Sequence, residues 1–205
     1  MTDGHGTDPG DRASSGVGRD TAHALADDGH DALVHVRNPS RLTGADDTAR
    51  WEGVVTGDLG EVDPIRDAAR QAGAFGRFDA VIHNAGALHS PDVSTVNTVA
   101  PYLLTALMAE PARLVHLSSS LHRTGSTDLR RLADGTASHD DSKLWVTALA
   151  LACANRWEGT ASHAVDPVSY GPGRVARSVR SLRVRLDPGA TGPDAARLAG
   201  VTSPA

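Results

Sequence analysis

The sequence predicts an α/β fold built on a doubly wound, mostly parallel sheet. Three observations predict it. Short Val/Ile/Leu runs alternate with segments of helical periodicity from about residue 13 to residue 167. The runs are apolar along their length, as strands covered on both faces are. A chain of 205 residues with 40% apolar side chains suffices for one domain and falls short of two.

The elements follow in order. Residues 1–12 carry three Gly, three Asp and a Pro, and they predict an irregular N-terminal segment. Gly18 to Asp28 has Ala22, Leu25 and Ala26 on one face and stops at Gly29, the pattern of a short helix. ALVHVR (32–37), ended by Asn-Pro, and GVVTGDL (53–59) are strands, and VDPIRDAARQAG (62–73) is a helix entered through proline. FDAVIHNAG (78–86) is a strand running into a turn, STVNTVAPYLLTALMAE (94–110) a helix, and ARLVHLSSS (112–120) another strand. After a polar loop come a long helix from about Asp140 to Trp157 and a last strand, TASHAVDP (160–167). LWVTALALACA (144–154) is apolar nearly all round, so its outer face is expected to pack against another subunit as a homodimer or homotetramer. Residues 168–205 hold six Arg among scattered Pro and Gly and read as an irregular solvated tail. Arg174, Arg177, Arg180 and Arg183, three apart, could otherwise form a basic stripe.

The domain plan is therefore 1–12 irregular, 13–167 folded and 168–205 irregular. A net charge of -5 argues against a nucleic-acid or anionic-membrane partner, which would call for a basic surface. No membrane span or signal peptide is evident, and a cytoplasmic protein is expected. Cys153 stands alone in an apolar run, a small core residue that excludes disulfides and cysteine zinc sites. The histidines show no ligand spacing, so no metal site is expected. Of 20 basic residues 19 are Arg, which makes Lys143 the only lysine.

Five motifs stand in the order of the short-chain dehydrogenase/reductase family, the Rossmann-type NAD(P)-dependent oxidoreductases, over about Ala13 to Pro167. ASSGVGR (13–19) resembles the second half of the family's glycine-rich turn, HNAG (83–86) its Asn-Ala-Gly motif, and VNTVAPYLLT (96–105) the helix of its catalytic asparagine. LVHLSSS (114–120) resembles the strand delivering the catalytic serine, and SHDDSKLW (138–145) sits where the family has Tyr-x-x-x-Lys. The resemblance implies dinucleotide contacts from Ser14, Ser15, Gly16, Val17 and Gly18, with Asp58 at the adenine and Asn84, Ala85 and Gly86 along the central crevice. It implies catalytic roles for Ser119, Asn97 and Lys143, the lysine also holding the nicotinamide ribose. Glycine before a helix fits a pyrophosphate resting on the helix N-terminus. Arg37, ending the second strand of the motif order, favours the 2'-phosphate of NADP(H), with NAD(H) the alternative.

The pattern breaks at two kinds of place. His139 occupies the tyrosine position, and histidine reaches less far than a phenol and titrates near 6.5 instead of near 10. Asp11-Arg12 replaces Thr-Gly, residues 1–10 offer no first strand, and Val168 follows Pro167 where the family continues with glycine. The expectation is an oxidoreductase acting on a small alcohol/carbonyl pair with catalysis impaired; the alternative is a non-catalytic dinucleotide-binding or scaffold protein.

Overall fold

A computed structural model describes residues 17–42, 49–166 and 197–201. Helix α1 spans Val17–Asp27, strand β1 Asp31–Val36, β2 Gly53–Thr56, α2 Val62–Gly73 and β3 Ala80–His83. Then come α3 Ala100–Leu107, β4 Arg113–Leu117, the short α4 Arg130–Ala133, α5 His139–Arg156, β5 Ala161–Val165 and β6 Arg197–Val201. All six strands are parallel, in the order β2-β1-β6-β3-β4-β5.

The apolar runs explain the layering. Alternate residues point to opposite faces, so Leu33, Val81 and Leu114 join Ile65, Ala68, Ala69, Leu104 and Cys153 of α2, α3 and α5 in one core. Ala80, Ile82, Val115 and Leu117 meet Leu25 of α1 on the other face, and Ala32 and Val34 meet Ala22 and Trp51 there. Helices thus cover both faces of the parallel sheet, the Rossmann-like layout the sequence predicts.

The structure departs from the sequence reading at the centre of the sheet. Arg197–Val201 falls in the tail predicted to be irregular, yet it forms β6 in the central slot between β1 and β3. The reason is hydrogen-bond accounting. β1 and β3 each turn an edge of N–H and C=O groups toward the interior, and buried donors and acceptors without partners are costly. β6 serves both edges, with Ala199 opposite Leu33 on one side and Val81 on the other. Five residues with Gly200 inside make a weak strand signal in isolation.

A second departure lies in the helix predicted over 94–110. It ends at Leu107, and Thr95–Val99 forms a π-turn. Pro101 explains the widening, because proline offers no N–H and its ring crowds the carbonyl four residues back. That carbonyl belongs to Asn97.

Three buried histidines lie in one row across the sheet: His35, then His83 beyond Val201, then His116. His35 Nε2 is 2.9 Å from Gly57 O, and His83 Nε2 is 2.9 Å from Thr105 Oγ1. His83 and His116 stack at 4.8 Å between ring centroids. Neither ring nitrogen of His116 has a partner among the described residues. Burial, and then the charge of His116, holds the His83 pKa well below 6.5, and burial lowers His116 to about 4.

Two predictions follow from this architecture. Below pH 6.5 the unfolded chain takes up the protons that the buried rings refuse. Stability is therefore full above that pH and falls by about 1.4 kcal/mol per pH unit for each histidine as pH drops toward 4. Thermal unfolding across pH 4–8 checks this, and His116→Leu is expected to halve the slope and to raise neutral stability by about 1 kcal/mol. Truncation after residue 196 is expected to abolish the cooperative transition in circular dichroism, and a chain that still melts cooperatively would show β6 to be dispensable.

Candidate active site

Parallel strands bring their carboxyl ends to one edge, where open α/β sheets place their ligand crevice. Arg37 follows β1, Asp58 follows β2, and Asn84, Ala85 and Gly86 follow β3. Ser118 to Ser120 follow β4, and Asp166 follows β5. α1 packs beside β1 and joins its amino end through a tight turn at Gly29, whose φ of 85° suits glycine. The helix therefore runs opposite to the strand and opens at the carboxyl edge with Val17 and the buried Gly18. Ser14, Ser15 and Gly16 lie outside the described residues. Arg37 Nε is 3.4 Å from Asp58 Oδ1, an ion pair without hydrogen-bond geometry.

The entry of α5 fixes the centre of the site. Ser138 and Asp141 form a capping box, each side chain accepting from the other's backbone N–H. The helix thereby starts at His139, and Lys143 follows one turn later on the same face. Lys143 is buried, and its Nζ donates to Leu117 O at 2.8 Å. A Cβ on Gly86 would stand 3.6 Å from that nitrogen and 3.7 Å from Asn97 Oδ1, so the bare glycine keeps this side of the cluster open. Burial lowers the Lys143 pKa to about 8, against the pull of Asp166, which raises it.

Asn97 leaves the π-turn and grips the main chain of Ala87. Its Oδ1 accepts from Ala87 N at 2.7 Å, and its Nδ2 donates to Ala87 O at 2.9 Å and to Ser142 Oγ at 2.9 Å. His139 Nδ1 lies 3.0 Å from the same Ala87 carbonyl. Burial is the main cause lowering the His139 pKa, with the positive charges of Lys143 and His89 acting the same way. The Ala87 bond and Asp140 oppose them.

The three serines differ in what they can still do. Ser118 Oγ is engaged with Thr147 Oγ1 at 2.5 Å, close to Lys143 O. Ser119 Oγ accepts from Leu121 N at 3.2 Å, which leaves its O–H able to donate. Ser120 N donates to Asp166 Oδ2 at 2.7 Å. The structure thus joins Asn97, His139, Ser142 and the Ala87 main chain in one hydrogen-bonded cluster, with Lys143 Nζ beside it at Gly86 and the serines of β4 bordering it.

Sequence reasoning missed Ser142, Thr147, Asp166 and the Ala87 carbonyl. Ser142 and Thr147 carry no signal beyond their helical spacing from Lys143. Asp166 looks like any carboxylate at a strand end. Asp141 was legible through the Ser-x-x-Asp spacing of a capping box. Among the described residues no group of three or more His, Cys, Asp or Glu could hold a metal, and no helix is long and apolar enough to cross a membrane.

No family model matches the chain. It is 36% identical over 177 residues to an uncharacterized oxidoreductase of Emericella nidulans, covering 80% of this chain and 68% of that protein. It is 33% identical over 174 residues to the short-chain dehydrogenase chyC of Penicillium rubens, covering 76% and 67%. The short-chain dehydrogenase chry4 of Gibberella zeae is 33% identical over 189 residues, covering 80% and 70%. Among solved structures, a blue fluorescent protein from a metagenomic library, in complex with NADPH, superposes with a TM-score of 0.65 at 18% identity over 93% of this chain and 94% of that one. An alcohol dehydrogenase from the archaeon Thermococcus sibiricus, complexed with 5-hydroxy-NADP, gives 0.63 at 18% identity over 92% of each chain. The two superpositions agree with the layered parallel sheet described above.

Asp141 yields a prediction of its own. Its burial works to raise the pKa, but donors from Ser138, Ser126 and the Arg131 guanidinium outweigh it and bring the carboxyl to about 2. Those bonds tie the polar loop after β4 to the helix of His139 and Lys143. A depressed carboxylate pKa gives stability that is complete above the unfolded value and lost as pH falls toward 2. Asp141→Asn is expected to cost about 2 kcal/mol at neutral pH and to flatten the acid limb below pH 4. Urea unfolding at pH 7 and pH 3 checks both.

Proposed function

The chain belongs to the short-chain dehydrogenase/reductase family, and from that premise we propose that it is an NADP(H)-linked oxidoreductase of a small alcohol/carbonyl pair. In this reading turnover is impaired by a histidine where the family has its tyrosine. The observation that carries the proposal is the position of the one lysine: Lys143 Nζ sits buried at the carboxyl edge between Leu117 O and the bare Gly86. A buried ammonium with one donor spent on a carbonyl has two left for a polar ligand.

The residues present fit a dinucleotide. Gly86 leaves room that a Cβ would fill, and α1 opens at the same edge with a buried glycine. Arg37 approaches Asp58 through Nε at 3.4 Å, and its guanidinium fork suits a 2'-phosphate. When bound, the nicotinamide supplies hydride exchange with the substrate carbon. Lys143 would hold the ribose, Ser119 would donate to the substrate oxygen, and Asn97 would fix the wall through Ala87. Ser14, Ser15, Gly16, Val17 and Gly18 would face the pyrophosphate, Asp58 the adenine, and Asn84 and Ala85 the crevice.

A non-catalytic dinucleotide-binding or scaffold role is the second reading, and one observation favours it: His139 spends Nδ1 on the main chain instead of keeping it for substrate. In either case we read the protein as cytoplasmic and homo-oligomeric. Leu151 on α5 is 63% exposed, and Tyr102 and Leu107 on α3 are 57% and 53% exposed, which supports a docking face.

Fluorescence titration tests the cofactor. NADPH is expected to bind more tightly than NADH, and Arg37→Ser to weaken NADPH about 10- to 100-fold while sparing NADH. Absence of binding at millimolar NADPH and NADH would defeat the proposal.

A further inference from the structure

We infer that Asp166 is a positioning residue of this site: from the end of β5 it latches the turn that follows β4 and supplies the counter-charge of Lys143. The inference rests on the dinucleotide reading above and deepens it by saying what keeps the lysine a cation at the place where a ligand would meet it.

Neutral partners settle where Lys143 lies. Its carbonyl accepts from Thr147 Oγ1 at 2.7 Å, one turn further along α5, and Ser118 Oγ is bonded to that hydroxyl. At the far end of the side chain Nζ donates to Leu117 O at 2.8 Å. These contacts leave the charge unanswered, because a buried ammonium calls for a counter-charge as well as hydrogen bonds.

Asp166 is placed to answer it. Strands β4 and β5 run side by side with Leu117 opposite Val165, and the ladder continues for one more bond, Ser118 N donating to Val165 O at 2.8 Å. The next link is made by a side chain: Asp166 Oδ2 accepts from Ser120 N at 2.7 Å. The carboxylate is thereby held at the same strand end whose Leu117 carbonyl holds Nζ. Burial lowers the amine to about 8, and Asp166 is the group that opposes the fall.

The other titratable groups around the helix leave this role to Asp166. The turn packed on α5 carries His122 and Arg123, β4 carries His116 and β5 His163, yet Asp166 alone among them acts on the amine. On α5 itself, His139 is held below 6.5, mainly by burial, and so is uncharged where the lysine titrates. Without the Asp166 carboxylate burial would act unopposed, and the amine would lose its proton at a lower pH. Well below that pH Lys143 is an ammonium with or without Asp166; near pH 8 the ammonium depends on it.

Lys143 is the only lysine, so the full chain labelled with 13C-lysine gives one side-chain signal whose titration is read directly. Its midpoint is expected near 8 in the parent chain. In Asp166→Asn, which keeps an acceptor for the Ser120 N–H and loses the charge, the midpoint is expected to lie about 0.5 to 1 lower in pH, a half-buried carboxylate being partly screened by water. Asp166→Glu is expected to bring it back. Ser120→Pro removes the N–H and leaves the carboxylate unlatched. Ser119 before it is already extended, with φ -157° and ψ 155°, as proline requires of its predecessor. Here too the midpoint is expected to fall. In fluorescence titrations Asp166→Asn is expected to weaken NADPH binding about two- to fivefold at pH 8 and to leave it unchanged at pH 6.5, where the amine is charged either way. A midpoint unmoved in both Asp166→Asn and Ser120→Pro overturns the inference. So does a loss of NADPH affinity equal at the two pH values, the mark of a merely structural role. Failure of NADPH to bind at either pH overturns the dinucleotide reading instead, and the lysine midpoint of the free protein still decides the pairing of Asp166 with Lys143.

Discussion

Pairing of β6 with both β1 and β3 is the constraint on which the rest of the molecule depends. Without it the sheet would be two separate sets of strands, β2-β1 and β3-β4-β5, each with an unpaired inner edge. With it, five strand ends that carry polar groups are held on one edge in a fixed register. α1, which packs over β1 and β6, is placed to open at the same edge. The centre of the sheet is thus closed by residues that lie 161 positions beyond the end of β1, the strand they pair with.

Hydrogen-bond accounting at one peptide group organises the chemistry. Ala87 receives Asn97 through both its N–H and its C=O, and the same carbonyl takes His139 Nδ1. Asn97 reaches it from the middle of the π-turn over Thr95–Val99, which Pro101 widens from two residues beyond its end, and Ser142 holds the amide from the α5 side. Around Ala87 the main-chain N–H, the carbonyl and both ends of the Asn97 amide are all paired, so loss of one partner would strand another away from water. His83 and His116, stacked in neighbouring strands and disfavoured as cations by burial, contribute acid sensitivity to the sheet.

Much of the fold was legible because strand and helix periodicities are local. The runs around Val34, Ile82 and Val115 announce strands buried on both faces, and Ile65 with Ala68, Ala69 and Ala72 announces the inner face of α2. β6 was not legible. Leu198 to Val201 acquire their strand identity from two edges already waiting for them, and that demand is absent from any local window. The interruption at Thr95–Val99 was open to inference from Pro101, although its conversion into a π-turn depends on packing around Asn97. In the site, the spacing of His139 and Lys143 put both on one helix face, whereas Asp166 and Ser142 took on roles only through neighbours more than forty residues away.

The sequence by itself determined the layered parallel sheet, the family, and the identity of the groups available for chemistry, because these depend on residue type, order and short spacing. Tertiary structure decided which strand closes the centre, which serine keeps a hydroxyl able to donate, and which nitrogen of His139 meets a main-chain carbonyl. Each of those depends on which donor meets which acceptor across the fold, as where the Ala87 carbonyl meets His139 Nδ1.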